Sequence, residues 1–231
     1  MIQVDHQSIK LNWVTPEQIQ IPKTLVLGSF NPYNPNGNNT VDYYYGRESN
    51  HFWRRIALIS GFDELYFFDK KEGLNRKTTI MTNRFCCQDV ISSINFTSAD
   101  SLRLGNFIND SVFTGFLDQA IWGSNITKKS ISLVRQYNDT ILDTLRNTKS
   151  INTVIHTMGN NRITNFLDCK PKEKGIGTKG FHGYLATIYQ VCKERNIEFV
   201  FNSLSPSNYA ISNGATNINA LDEWLIKHLN L

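Results

Sequence analysis

Thr24-Leu25-Val26-Leu27-Gly28-Ser29-Phe30-Asn31-Pro32-Tyr33 decides the fold. An apolar run of strand length stops at a glycine, and a turn of small and polar residues follows. A buried strand that ends this abruptly sets backbone N–H groups and short polar side chains at the carboxyl end of a sheet. Open α/β proteins keep their sites there. Downstream lies a loop rich in Asn, Pro and Gly, then Tyr43-Tyr44-Tyr45-Gly46, then Asn50-His51-Phe52-Trp53. Phe52, Trp53, Ile56, Ala57 and Ile59 recur at helical spacing, with Gly61 placed to cap the helix end. Three consecutive tyrosines in a loop point to a task beyond covering the surface.

The rest of the chain repeats the alternation of strand and helix. Residues 1–22 read as an N-terminal arm that leads into the first core strand. Residues 62–78 are polar and read as surface loop or short helix, and Thr79–Thr82 as either strand or helix. A buried strand falls near Asp89-Val90, within Phe85–Ile94, and a short one at Asn106-Phe107-Ile108. Ile131, Val134, Ile141, Leu142 and Leu145 share one face of a helix from about Lys129 to Arg146. Thr153–His156 is a strand that ends at Met158-Gly159. A helix near Arg162–Leu167, a Lys/Gly loop over 170–180 and a helix from Tyr184 to Arg195 follow. Ile197–Phe201 is the last core strand, and an amphipathic helix over Ala220–Leu229 closes the chain. This pattern predicts one α/β domain over residues 1–231, a three-layer α/β/α arrangement around a four-stranded, largely parallel sheet.

Composition narrows the classes. The 231 residues, 40% hydrophobic and 19% charged, suit a folded chain with a sizeable core. No apolar run approaches the roughly 20 residues that span a bilayer, and residues 1–5 carry no signal-peptide pattern. The expectation is a cytoplasmic protein without a membrane partner. A net charge of +4 permits a polyanionic partner without requiring one. Cys86, Cys87, Cys169 and Cys192 show neither zinc nor iron–sulfur spacing and read as reduced, small hydrophobes. No metal is expected, and His51, His156 and His182 form no recognisable metal or nucleophile pattern.

Two strand-terminal loops stand far apart in sequence: Gly28-Ser29-Phe30-Asn31-Pro32 and Ser203-Leu204-Ser205-Pro206-Ser207-Asn208. Together with Tyr44-Tyr45-Gly46-Arg47 and Asn50-x-Phe52-Trp53 they resemble the motifs of the uracil-DNA glycosylase superfamily. The similarity is to its mismatch-specific uracil/thymine branch (G-I-N-P-G, A-H-P-x-N-x-F-W). It extends to the hypoxanthine branch (G-S-x-P, Y-Y-A-H-P-x-N-x-F-W, S-T-S-P-A-N). Gln88-Asp89-Val90 followed by Asp100-Ser101 also looks like a D-V…D-S segment of the hypoxanthine branch. The resemblance implies a monomeric, monofunctional DNA glycosylase of base excision repair. It would flip a deaminated or mispaired base (hypoxanthine, uracil, or thymine opposite guanine) and hydrolyse its N-glycosidic bond without a cofactor.

The resemblance also implies roles. Asn31 matches the water-positioning Asn of one branch, with Phe30 making the loop a residue longer, and Asn50 matches the Asn of N-x-F-W. The alternative for each is a turn or helix-cap residue. Gly28, Ser29, Phe30, Tyr44 and Tyr45 would line the base site, Tyr45 as the stacking platform. Phe52 and Trp53 read as core. Arg47, Ser203, Ser205, Pro206, Ser207 and Asn208 would meet DNA phosphates. Lys170–Lys174 and Lys179 either reach the backbone or form a solvated loop. The chain departs from the family in two places. No His occupies position 203, which argues against fast uracil removal, and Tyr209 is the residue left to wedge the strand. A base-binding module of the same fold with weak or no chemistry is the rival, with a nucleoside-processing enzyme behind it.

Overall fold

Leu25, Val26 and Leu27 are wholly buried, as a strand covered on both faces requires. The computed structural model describes residues 1–33, 40–108, 131–158 and 179–231. Its strands are β1 (Ile2–Asp5), β2 (Thr24–Gly28), β3 (Phe85–Asp89), β4 (Ile91–Thr97), β5 (Ser132–Tyr137), β6 (Thr153–His156) and β7 (Glu198–Phe199). The helices are α1 (Gln7–Leu11), α2 (His51–Ile59), α3 (Gly73–Met81), α4 (Ser101–Ile108), α5 (Thr140–Asn147), α6 (Lys179–Glu194), α7 (Asn208–Ser212) and α8 (Ile218–Leu229).

The protein is α/β. A four-stranded, all-parallel sheet in the order β3-β2-β6-β7 lies between helices in a three-layer α/β/α arrangement. In register, Gly28 pairs with Asp89 and Leu27 with His156, so β2, β3 and β6 end level with one another. Helix α2 packs on α8, where Arg55 holds Asp222 through two hydrogen bonds of 2.7 and 2.5 Å. Helix α5 packs on α6.

Several expectations need correction. Residues 132–137 are not the start of a long helix; they form β5, and only Thr140–Asn147 is helical. Leu133 and Arg135 are buried while Ser132 and Gln136 are exposed, a period of two that a buried arginine disguises. Residues 106–108 lie in α4 rather than in a strand. Thr79–Met81 end helix α3. Phe85–Thr97 holds two strands, and β7 is only Glu198–Phe199. The N-terminal arm contributes β1 to a second, antiparallel sheet, β1-β4-β5. The expected Arg162–Leu167 helix, the 170–178 loop and Cys169 lie outside the described residues.

Candidate functional site

Three neighbouring strands deliver Asp89, Gly28 and Thr157 to one line along the carboxyl edge of the parallel sheet. Thr157 follows β6 and its N–H donates to the Leu27 carbonyl at 3.0 Å. Gly28 sits between two polar groups. A Cβ there would fall 2.1 Å from Asp89 Oδ1 and 2.9 Å from the Tyr45 hydroxyl. Glycine is needed because the carboxylate and phenol close over its Cα.

The block Asn50-x-Phe52-Trp53 builds the aromatic side. Asn50 Oδ1 accepts the Phe52 N–H at 2.9 Å and caps α2. Phe52, fully buried, stacks under Tyr45 with ring centroids 4.3 Å apart. Trp53 Nε1 donates to the Tyr44 carbonyl at 2.7 Å. Tyr45 is thus gripped from below while its hydroxyl hydrogen-bonds Thr157 Oγ1 at 3.0 Å. Its φ of +58° is a left-handed backbone that a tyrosine rarely adopts. Asp42, three residues upstream, takes both its oxygens to the buried Lys77 Nζ at 2.6 Å. Burial pulls the Lys77 ammonium below its usual range, against the pull of Asp42.

The opposite side of Gly28 is polar and clamped by the N-terminus. Asn31 Nδ2 donates to Asp89 Oδ2 at 2.8 Å, and His6 Nε2 reaches the same oxygen at 2.8 Å. His6 Nδ1 accepts the Ser8 N–H at 3.0 Å, so the ring hydrogen faces Asp89. Backbone bonds Gln7 N–H to Asn31 O and Tyr33 N–H to Asp5 O, both 2.8 Å, hold the loop down. Gln7, itself buried, bridges Pro32 O and Val41 N–H.

The loop after β7 closes the third side. Ser203 donates its hydroxyl to the His156 carbonyl, and the His51 N–H donates to Pro206 O at 2.8 Å. Ser207 caps α7 by accepting the Ala210 N–H at 3.1 Å, with Ser205 Oγ beside it at 3.1 Å. Asn208 and Tyr209 are exposed at the rim, Tyr209 by 67%.

Gly28, Asn31, Tyr45 and the 203–208 loop therefore meet at one edge. Tyr44 and Phe30 do not join them as free rings. Both are buried around His6, with ring centroids 5.6 and 5.8 Å from it, and so serve as packing. Ser29 is half-buried and Arg47 is exposed. Ser203 is buried, and Asn50 is engaged as a cap. Two participants were missed from sequence. His6 gave no signal, because its partner is 83 residues away. Asp89 had one: it stands in the Gln88-Asp89-Val90 segment quoted for the resemblance, to which no role at the site was attached.

Burial, and after it the neighbouring Asp89 charge, push the Tyr45 phenol well above its usual range. At neutral pH it is a hydrogen-bonding phenol and not a base. Burial also raises the thiols of Cys86 and Cys87, and lifts Cys192 to about 12, consistent with small hydrophobes. Among the described residues no group of three or more His, Cys, Asp or Glu is placed to hold a metal, and no helix is long and apolar enough to cross a membrane. A polar groove of about 510 Å³, lined among others by Lys23, Thr24, Lys227 and His228, lies at the amino end of the sheet.

Comparison with models of protein families, with curated proteins and with solved structures returned no match.

Proposed function

We propose that the chain is a monomeric, cytoplasmic DNA glycosylase that removes a deaminated or mispaired base by hydrolysis. The observation that carries this reading is the gathering of the 28–31 turn, Tyr45 and the 203–208 loop at the carboxyl edge of the parallel sheet, held by Tyr45 to Thr157, Ser203 to His156 and His51 to Pro206. The everted base lies against Tyr45. Asn31 has its Nδ2 turned to Asp89, which leaves its carbonyl to orient a water. That water's oxygen bonds to the sugar C1′ as the C1′–N bond breaks, the bond's electron pair leaves with the base, and the water's proton passes through solvent to the departing base anion. Hydrolysis of this kind calls for no cofactor. Arg47, Ser205, Ser207 and Asn208 supply the phosphate contacts, and exposed Tyr209 the wedge.

The test is incubation with duplexes carrying hypoxanthine, uracil, or thymine opposite guanine, followed by alkali. Strand breaks at the marked base are expected; no break with any of them would overturn the reading. One observation favours a base-binding module with weak chemistry instead: Asn50, the second catalytic candidate, is occupied as a helix cap. That module would bind such DNA without producing abasic sites, and Asn31→Ala would leave the background rate unchanged.

A further inference from the structure

The carboxyl edge of the parallel sheet carries the candidate site. The amino edge carries the groove of about 510 Å³, a volume that suits a small-molecule ligand. Sheet pairing builds its floor. Thr24 is in register with Thr153, and Thr153 with Glu198, so the three side chains project to one face where β2, β6 and β7 begin. The end of α8 covers that face. Thr24 Oγ1 donates to the His228 carbonyl at 2.6 Å, and Arg84 Nε to the Asn230 carbonyl at 3.2 Å. Lys23 enters from the residue before β2, and Lys227 from the last turn of α8.

His228 is the group that this framework leaves unexplained. It is only 8% exposed, and Trp224, one helical turn back, packs against its ring with centroids 5.5 Å apart. Yet it lines the groove, and its imidazole nitrogens meet no hydrogen-bond partner among the described residues. A polar group buried to that degree ordinarily has one. Burial, and after it the Lys227 charge, hold the His228 pKa below its usual value against the pull of Glu198. The ring therefore enters the groove neutral near pH 7, with one nitrogen a donor and the other an acceptor.

The charges sort the ligand. Among the described residues neither Lys23 nor Lys227 forms an ion pair, and two ammonium groups at one recess attract a dianion and repel a metal ion. The other lining groups suit hydroxyls. The Glu198 carboxylate accepts, and Asn152, whose Oδ1 is taken by Thr153 Oγ1 at 3.0 Å, keeps its amide N–H groups to donate. No Phe, Tyr or Trp among the described residues lines the groove, so it offers a nucleobase no stacking surface. We infer that the groove is a binding site for a small sugar phosphate, its phosphate held by Lys23, Lys227 and His228 and its hydroxyls by Glu198 and Asn152. The site is independent of the glycosylase chemistry and lies at the other end of the strands.

The test is calorimetric titration of the full chain with ribose 5-phosphate, ribose and inorganic phosphate at one ionic strength. The imidazole resonances of His228 and His6 are followed by NMR in the same titrations. Ribose 5-phosphate is expected to bind with a Kd under about 1 mM, and ribose or phosphate alone at least about tenfold more weakly. The His228 resonances should move while those of His6, at the opposite edge, stay in place. Lys23→Met combined with Lys227→Met should weaken ribose 5-phosphate by at least about tenfold, with a thermal melt as folding control. No heat and no His228 shift at about 10 mM ribose 5-phosphate would overturn the site. So would a folded double variant that binds as tightly as wild type. Inorganic phosphate binding as tightly as the ester would overturn the assignment to a sugar phosphate, because the hydroxyls would then contribute nothing. The wild-type titrations decide without any variant having to fold.

Discussion

The loop after β2 and the loop after β7 meet at one edge of the sheet, but they are secured by different means. Residues 28–33 are pinned by charge and by another part of the chain: Asp89, His6 and the backbone of residues 5–7. Residues 203–208 are pinned by short hydroxyls and single backbone bonds, and end in exposed Asn208 and Tyr209. The first is a buried floor with fixed polarity, and the second an open lip. A floor that cannot rearrange suits discrimination between ligands, and a lip that can suits the docking of a flexible one.

Trp53→Ala attacks the floor hardest. The residue is fully buried and holds the Tyr44 carbonyl, so a loss of about 3–5 kcal/mol is expected in denaturant unfolding. A loss under about 1 kcal/mol would mean that the tyrosine loop is held by something else. Gly28→Ala places a methyl on Asp89 Oδ1. It should cost about 1–3 kcal/mol and abolish excision, measured side by side. Unchanged activity would show that the floor yields.

At Asn50, Ala should cost about 1 kcal/mol and Ser almost nothing. If Asn50→Ser keeps its melting temperature but loses excision, the amide has chemical work beyond its cap. The lip predicts the smallest effect on stability. Tyr209→Ala should stay within about 0.5 kcal/mol of wild type yet weaken binding to duplex DNA in fluorescence anisotropy. Equal affinity would strip Tyr209 of its wedge.

What could be read from sequence follows the same division. Residues 24–28 and 50–60 declared themselves because their signals are local: an apolar run with a glycine stop, and an amphipathic period behind a capping Asn. Tyr45 was singled out by its match to the stacking aromatic of the resembling family, although only the structure separates it from the packed Tyr43 and Tyr44. Asn31 was a candidate from its turn, but its grouping with Asp89 and His6 was hidden because the three come from distant segments joined by sheet pairing. The strand at 132–137 was hidden because its register with β4 is non-local and its inward positions include Arg135. Tertiary pairing overrode the helical spacing of Ile131, Val134 and Ile141.

Strand β1 is four residues long and sits at the margin of its sheet, with β4 as its sole neighbour among the described residues. Short marginal strands fray before a protein melts. Each fraying event carries His6 away from Asp89, while the parallel sheet stays whole. Heat should therefore break the His6–Asp89 contact, read from the His6 imidazole resonances, before circular dichroism registers any unfolding.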